Sequence, residues 1–379
     1  MLLAQGLTER AVRVTLVTKT PAGGMDDTRL PFRIVRQPRL PVLWRLFRTT
    51  DLIHLAGPCL LPMLMGLACR KPLVLEHHGY QAVCPNGLLL YEPTKTVCPD
   101  HFMAHRYHKC LKCNASTMPW TKSVLDVSLV LLRRWACQRA AVNLPISQHV
   151  SSRIRLSRSK VIYYGIMDPM GGRSASTGDR TAPSIPTPMT YAYVGRLVSE
   201  KGLPILLLAA SQLLEQGYNF RLKMIGDGPE RANLETMVAG FGLQSCVGFT
   251  GQLQGDALHR ALEEVSVVVM PSLWEETAGL AAIEQMMRGR MVIASNIGGL
   301  GEVVDGVGLK FAPGDAAGLA SCLRRVLDDP GLVEVLGRKA RQRALELFLQ
   351  QRMVAEHLAL YRELLGDSSP PSIFASEEA

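Results

Sequence analysis

The sequence predicts an α/β protein built from two doubly wound domains, and three observations carry that expectation. A chain of 379 residues holds about two domains, each able to bury its own core. From Met189 to Leu327, short apolar strands alternate with amphipathic helices, the pattern of a parallel sheet covered on both faces. The run MGGRSASTGDRTAPSIPTP, Met170 to Pro188, is rich in Gly, Ser, Thr and Pro and has no periodicity, as an interdomain linker does. The expected division is residues 1–170 for the first domain, 171–188 for the linker and 189–345 for the second domain. Residues 346–366 then form a C-terminal helix, and 367–379 a loose tail.

Composition narrows the partners. The net charge of +9 favours acidic ones, but charge alone does not choose among nucleic acid, anionic lipid and phosphorylated small molecules. No RNA-binding aromatic motif or zinc-finger pattern occurs, so nucleic acid is not expected. VLWRLFR (Val42 to Arg48) and LLRRWACQR (Leu131 to Arg139) mix cations with aromatics. Each either rests on a membrane surface as a peripheral contact or is a helix with an apolar core face and a solvated basic face. The apolar run Leu55 to Cys69 is shorter than the about 20 residues a spanning helix needs, and Pro58 and Pro62 interrupt it. The opening MLLAQGLTERAVR lacks a basic n-region and a cleavage site, so no signal peptide is expected and a cytoplasmic location follows.

In chain order, residues 2–10 read as a helix and Ala11 to Thr18 alternate as a half-buried strand. An α/β domain normally opens on a central strand and a glycine-rich turn; here the first element already reads as the helix that follows them. Asp51 to His54 and Lys71 to Glu76 are further short strands joined by a helix over Pro58 to Cys69. His77, His78 and Gly79 follow the second of these. Loops at the carboxyl ends of parallel strands are where ligands bind, so His78 is either a polar contact to substrate or a structural histidine. Residues 121–140 read as one long helix, with strands at Val142 to Ser147 and Lys160 to Tyr163.

Between Cys84 and Cys113 lie four of the nine cysteines: Cys84, Cys98, Cys110 and Cys113. Cys110 and Cys113 have the C-x-x-C spacing that lets two thiolates reach one ion, and the other two complete a tetrahedral set. His101, His105 and His108 are nitrogen alternatives. The group either closes a structural zinc clip around a long loop or remains as free thiols. Disulfides are disfavoured without an export signal.

The second domain opens on the strand Met189 to Val194, followed by GRLVSEKG. Arg196 and Lys201 flank the turn into the helix Leu203 to Gln216. Two cations and a glycine at a strand end suit a diphosphate, arginine binding it bidentately and lysine as a point charge; plain surface solvation is the alternative. Strands at Arg221 to Ile225, Val247 to Thr250, Val267 to Met270 and Met291 to Ala294 follow. The turns GDGPE and Gly298-Gly299 fall at strand ends. Within PSLWEETAGLAAIEQMMRGRMVIASNIGGLGE, residues 271–302, a helix starting near Thr277 places Glu276 at its mouth and Glu284 two turns along. The mouth's unpaired N–H groups can hold an anion, and the inner carboxylate can accept hydrogen bonds from sugar hydroxyls. Two solvated acids on an amphipathic helix are the other reading. No G-x-G-x-x-G or P-loop pattern occurs, which disfavours dinucleotide oxidoreductases and P-loop NTPases.

Taken together, YVGRLVSEKG, IGDGPE, FTG, PSLWEETAGLAAIE and VIASNIGGLGEVV resemble the family 4 retaining glycosyltransferases of the GT-B fold (glycosyl transferases group 1). The resemblance is ordered over about residues 190–325. It is fainter in the first half, at DLIHLAG, the HHG turn and LPIS. It implies two Rossmann-like domains facing a central cleft, with the C-terminal helix crossing back to the first. Arg196 and Lys201 would hold the donor diphosphate, and Gly279 and Leu280 would add backbone N–H groups. Glu276 would contact the donor sugar, Glu284 the ribose, and His78 the transferred sugar and acceptor, making Glu276 and His78 the catalytic pair. The implied chemistry is metal-independent transfer with retention, from a UDP- or GDP-type sugar to a glycan or lipid-linked acceptor at the inner face of a membrane. No catalytic cofactor is implied.

Three departures from the family pattern stand out. The first strand and its glycine-rich loop are missing, Tyr164 replaces the asparagine of N-G-[IV]-D in Tyr164-Gly165-Ile166-Met167-Asp168, and Thr277-Ala278 follows the first acid where an aromatic residue or proline is usual. Two alternatives to a transferase remain: a nucleotide-sugar epimerase of the same fold, and a truncated subunit that binds nucleotide-sugar without turning it over.

Overall fold

A computed structural model describes residues 1–21, 23, 26–171 and 188–366. The linker expected at 171–188 lies outside these except at its two ends, and the tail expected at 367–379 lies wholly outside. The first half comprises α1 (Leu2–Thr8), β1 (Thr15–Thr18), β2 (Arg33–Arg36), α2 (Leu40–Thr49), β3 (Ile53–Leu55), α3 (Leu60–Ala68) and β4 (Leu73–His77). A short antiparallel ribbon, β5 (Leu90–Tyr91) and β6 (Thr96–Val97), leads to α4 (Tyr107–Ala115), α5 (Trp120–Cys137), β7 (Val142–Pro145) and α6 (Gln148–Ile154). β4 is apolar and almost fully buried over Leu73, Val74 and Leu75, as a strand covered on both faces must be. The Ser147 hydroxyl caps α6 by accepting the Val150 N–H at 3.1 Å, and Arg155 ends the helix in the left-handed region.

Parallel pairing in this half is split. β1 pairs with β2, while β3, β4 and β7 form a separate sheet in that order. Two local expectations are corrected. The strand read at Ala11 to Thr18 begins only at Thr15, since Ala11 has φ 61° and turns the chain. Lys160 to Tyr163 forms no strand; beside it only Asn143 and Ser159 make an isolated bridge.

The second half runs β8 (Met189–Val194), α7 (Leu203–Glu215), β9 (Phe220–Ile225), α8 (Arg231–Gly240), β10 (Val247–Gly251), α9 (Gly255–Glu263), β11 (Val267–Met270), α10 (Leu280–Met287), β12 (Met291–Ser295), α11 (Gly298–Val303), β13 (Leu309–Phe311) and α12 (Ala316–Asp328). Its six strands are parallel in the order β10-β9-β8-β11-β12-β13, which is 3-2-1-4-5-6. Alternate residues feed two cores. Tyr191, Tyr193, Val267, Val269, Met291 and Ile293 enter one; Ala192, Val268, Met270, Val292 and Ala294 enter the other. Strand order reverses between β8 and β11, so the crevice beyond their carboxyl ends is the natural ligand site.

Two helices close the chain: α13 (Gly331–Leu347) and α14 (Gln350–Leu365). Met353, Val354, Leu360 and Tyr361 of α14 share a core with Leu7, Val74, Val142 and Leu144, so the last helix packs on the first half. The chain leaving that half is pinned as well. Ile166 bridges Leu349, and Asp168 forms a bidentate pair with buried Arg341 at 2.6 and 2.8 Å. Among the described residues, no helix is long and apolar enough to cross a membrane.

Candidate active site

The switch-point crevice gathers the expected cations and acids from two strand ends. Beyond β8, Arg196 is exposed, and its carbonyl accepts the Tyr193 hydroxyl at 2.7 Å. A 3-10 turn, Ser199–Lys201, then carries Lys201 toward the loop after β11. Gly202 makes that approach feasible: it has φ 66°, and a Cβ there would stand 2.1 Å from the Pro271 carbonyl oxygen. Lys201 Nζ meets Glu276 Oε1 at 2.7 Å, with both side chains largely buried. The same oxygen accepts the Ser272 hydroxyl, and the ammonium lies 5.8 Å from the Trp274 ring centroid. Charge, hydroxyl and ring thus hold an acid and a base together in a site of reduced solvation.

The helix expected to start near Thr277 starts at Leu280. Gly279, at φ 61°, is its N-cap, and no side chain caps it. A cap without a side-chain acceptor leaves the first amides available to an anion, and Leu280 is exposed there. Glu276 therefore precedes the helix by one loop turn instead of standing at its first residue. Glu284 projects from the exposed face of α10; desolvation raises its carboxyl pKa and Arg288 pulls it down.

The loop around Glu276 is held from three sides. Gly299 N–H donates to the Glu276 carbonyl at 2.6 Å, and a Cβ on Gly299 would lie 2.3 Å from the Thr277 oxygen. From the first half, the Tyr80 hydroxyl donates to the Glu275 carbonyl at 3.0 Å and the Ser147 hydroxyl to the Thr277 carbonyl at 2.6 Å. Two hydroxyls of one domain so grip the backbone on either side of the other domain's acid. Nearby, Glu302 accepts the N–H groups of Gln148 and His149 at 3.0 and 2.9 Å and the Tyr163 hydroxyl at 2.6 Å. A cavity of about 550 Å³ between His149, Glu275, Gly298 and Glu302 lies along this interface.

His78 sits past β4, half exposed, with its Nε2 at 2.8 Å from Glu76 Oε2. The carboxylate can only accept, so Nε2 donates and Nδ1 is the nitrogen left for substrate. Glu76 has further histidine neighbours, His54 at 3.5 Å and His357 at 3.2 Å. Burial opposes its ionisation, but the hydrogen bonds from His357, His54 and His78 outweigh that and hold the carboxyl far below the usual range. His77, by contrast, is fully buried against Asn143, and burial pushes its pKa down to about 4.

Cys84, Cys98, Cys110 and Cys113 line one small cavity with His101. Burial raises all four thiols, Cys84 to about 11 and Cys110 to about 12. Among the described residues, no three of the four sulfurs approach within 4.8 Å of one another, a spacing that His54, Glu76 and His357 do reach.

Residues 179–343 match the model of the family described as glycosyl transferases group 1. Over that stretch the chain is similar to group 1 glycosyltransferases. The chain is 38% identical over 176 residues to the 2-deoxystreptamine glucosyltransferase of Streptomyces kanamyceticus, covering 46% of this chain and 45% of that protein. It is 30% identical over 250 residues to the glycogen synthase of Mycobacterium tuberculosis, covering 64% and 59%. The aligned part thus spans about half the length of the curated relatives it matches. The structure of sucrose-phosphate synthase from Thermosynechococcus elongatus superposes with a TM-score of 0.67 at 23% identity, over 97% of this chain and 92% of that one. HepE of Anabaena, solved in complex with UDP, gives 0.64 at 18%, over 92% and 100%. The fold is GT-B, and Lys201 and Glu276 lie within the stretch that the family model matches.

Sequence reasoning singled out Lys201 and Glu276, which the structure brings together, and missed what holds them. Ser272 and Glu275 lie inside the stretch already singled out, but nothing in their spacing separates a buried partner from a solvated neighbour. Glu76 stood two residues before His78, the i, i+2 spacing that places side chains on one face of an extended chain. That was the available signal.

Proposed function

We propose that the protein is a retaining glycosyltransferase that moves a sugar from a nucleoside-diphosphate sugar of UDP or GDP type to a glycan or lipid-linked acceptor, in polysaccharide or glycolipid synthesis. The observation that carries this reading is the Lys201–Glu276 pair at the strand-order reversal, next to the uncapped start of α10. A departing diphosphate gains charge as the glycosidic bond breaks. Lys201, drawn from Glu276, together with Arg196 and the amides of Gly279 and Leu280 neutralises that charge without a metal ion. Glu276 faces the donor sugar, Glu284 the ribose hydroxyls, and His78, oriented through Nε2 by Glu76, the acceptor side. Relatives named for glucosyl transfer and glycogen synthesis, and a neighbour that binds UDP, support a nucleotide-sugar donor. The test is a panel of nucleotide sugars with and without glycan and lipid acceptors, with the anomer of the product read by NMR. Acceptor-dependent release of nucleoside diphosphate with retention is expected. Acceptor-free epimerisation overturns the reading in favour of an epimerase, and nucleotide binding without turnover overturns it in favour of a binding subunit.

The acceptor side fits a peripheral membrane enzyme of the cytoplasmic face. Leu40, Val42 and Trp44 of α2, Leu61 of α3, and Trp120, Val124, Leu131 and Trp135 of α5 are exposed, and α3 contacts both of the other helices. Basic residues including Arg39, Arg45, Arg48 and Arg139 accompany them, Arg139 stacking on Trp135 at 3.9 Å. Such a surface binds anionic vesicles at low salt and leaves them as salt rises. Co-sedimentation with anionic and neutral vesicles checks it; equal recovery without lipid removes the membrane contact.

The cysteine loop closes on a structural zinc ion once its four thiols, no three of which lie within 4.8 Å of one another among the described residues, draw together. Its cavity of about 20 Å³ has room for a single water-sized body, and a cation there would reverse the desolvation that keeps the thiols protonated. Elemental analysis should find about one zinc ion per chain that is lost in a Cys110→Ser/Cys113→Ser variant. A fully folded native chain with no metal in this loop rejects the clip.

A further inference from the structure

We infer that His54, Glu76 and His357 form a binding site for a first-row divalent metal ion of the zinc class, which clamps the C-terminal helix onto the first domain. The three residues come from β3, the end of β4 and α14, more than 280 residues apart at their extremes along the chain. Their ligand atoms all lie within 4.8 Å of one another. Glu76 Oε1 stands 3.5 Å from His54 Nε2 and 3.2 Å from His357 Nε2. Ligands of one tetrahedral zinc ion at about 2.0–2.2 Å are spaced at about 3.3–3.5 Å along each edge, so these separations suit a shared ion. Two histidines and one carboxylate are a recurrent zinc set, with the fourth position left to water.

The placement of protons points the same way. His357 Nδ1 lies 2.8 Å from the Met353 carbonyl, which can only accept, so Nδ1 carries a hydrogen and Nε2 is the ring nitrogen turned to Glu76. His54 Nδ1 is engaged by the Tyr361 hydroxyl, and its ring stacks on that of His357 at 19°. A backbone carbonyl behind one ligating histidine and a hydroxyl behind the other are the outer contacts that set the tautomer and aim of metal-bound imidazoles. The remaining carboxylate oxygen, Oε2, holds His78 at 2.8 Å. The clamp therefore ends on a carboxylate that also orients the candidate acceptor-side histidine.

The site is distinct from the thiol loop, and cobalt separates the two. The full chain is stripped with chelator and titrated with Co(II), whose thiolate complexes give near-ultraviolet charge-transfer bands and whose imidazole–carboxylate complexes give only visible d–d bands. In the Cys110→Ser/Cys113→Ser background, d–d absorption without charge transfer is expected. Adding His357→Gln should abolish it, while His78→Gln should leave it. In the native background, His357→Gln should lower bound zinc by about one ion per chain, which keeps the test sharp if the cysteine variant does not fold. Unchanged zinc content in His357→Gln overturns the site. So does a folded cysteine variant that takes up no Co(II), or NMR showing that a proton alone bridges His357 and Glu76 in the presence of excess zinc.

Discussion

Replacing Asp168 with alanine should destabilise the protein by up to about 3–5 kcal/mol, the range for removing one partner of a buried ion pair. Arg341 is 3% exposed and Asp168 8% at the side chain. Two short hydrogen bonds join them, and the same guanidinium also donates to the Met287 carbonyl. That carbonyl closes α10, so the cation sits where a helix's negative end is stabilised by positive charge. Losing Asp168 therefore affects the junction between the two halves and the rear of the helix whose front is the proposed donor site. Asp168→Asn, which keeps the shape and one acceptor, should lose less. Urea unfolding followed by tryptophan fluorescence checks both variants. A midpoint for Asp168→Ala equal to that of the parent would show that the pair contributes nothing net.

The role of Asp168 also marks where the sequence was legible and where it stopped. The second half could be read because each of its signals is local. Apolar strands such as Val267–Met270 are bounded by turns, and a cation pair or an acid falls just past the strand end. Parallel α/β topology then brings successive strand ends to one crevice without further information. Gly202 and Gly299 could be placed at turns, but only the structure shows backbone oxygens close enough to exclude a Cβ. The first half resisted for the opposite reason. Its sheet is in two pieces, its strands are three to five residues long, and its order depends on contacts with α14 some 280 residues away. Glu76–His357 is a pair of that kind, and Asp168 meets Arg341 of α13 across 173 residues. Nothing local in a sequence announces that a carboxylate will meet a cation or an imidazole from a helix near the far end of the chain.

Lys201 is the residue on which the proposed donor site most directly depends, and the pair it forms makes the prediction sharper. Lys201→Ala should weaken binding of a nucleoside diphosphate by roughly 1.5–3 kcal/mol, the range for a lost hydrogen bond to a charged group, or about tenfold to a hundredfold in affinity. Calorimetry with the diphosphate alone reads this, and an unchanged affinity would remove Lys201 from the site. Glu276→Gln should behave differently. In the ligand-free protein Glu276 competes with the diphosphate for the Lys201 ammonium at 2.7 Å, so neutralising it should leave diphosphate binding as tight as in the parent, or tighter. Turnover of the nucleotide sugar should nevertheless fall, because the carboxylate facing the transferred sugar is gone. Equal losses of affinity in the two variants would mean that the ion pair supports the loop and neither residue meets the donor. Divergent losses, affinity for Lys201 and turnover for Glu276, would assign the cation to the leaving group and the acid to the sugar.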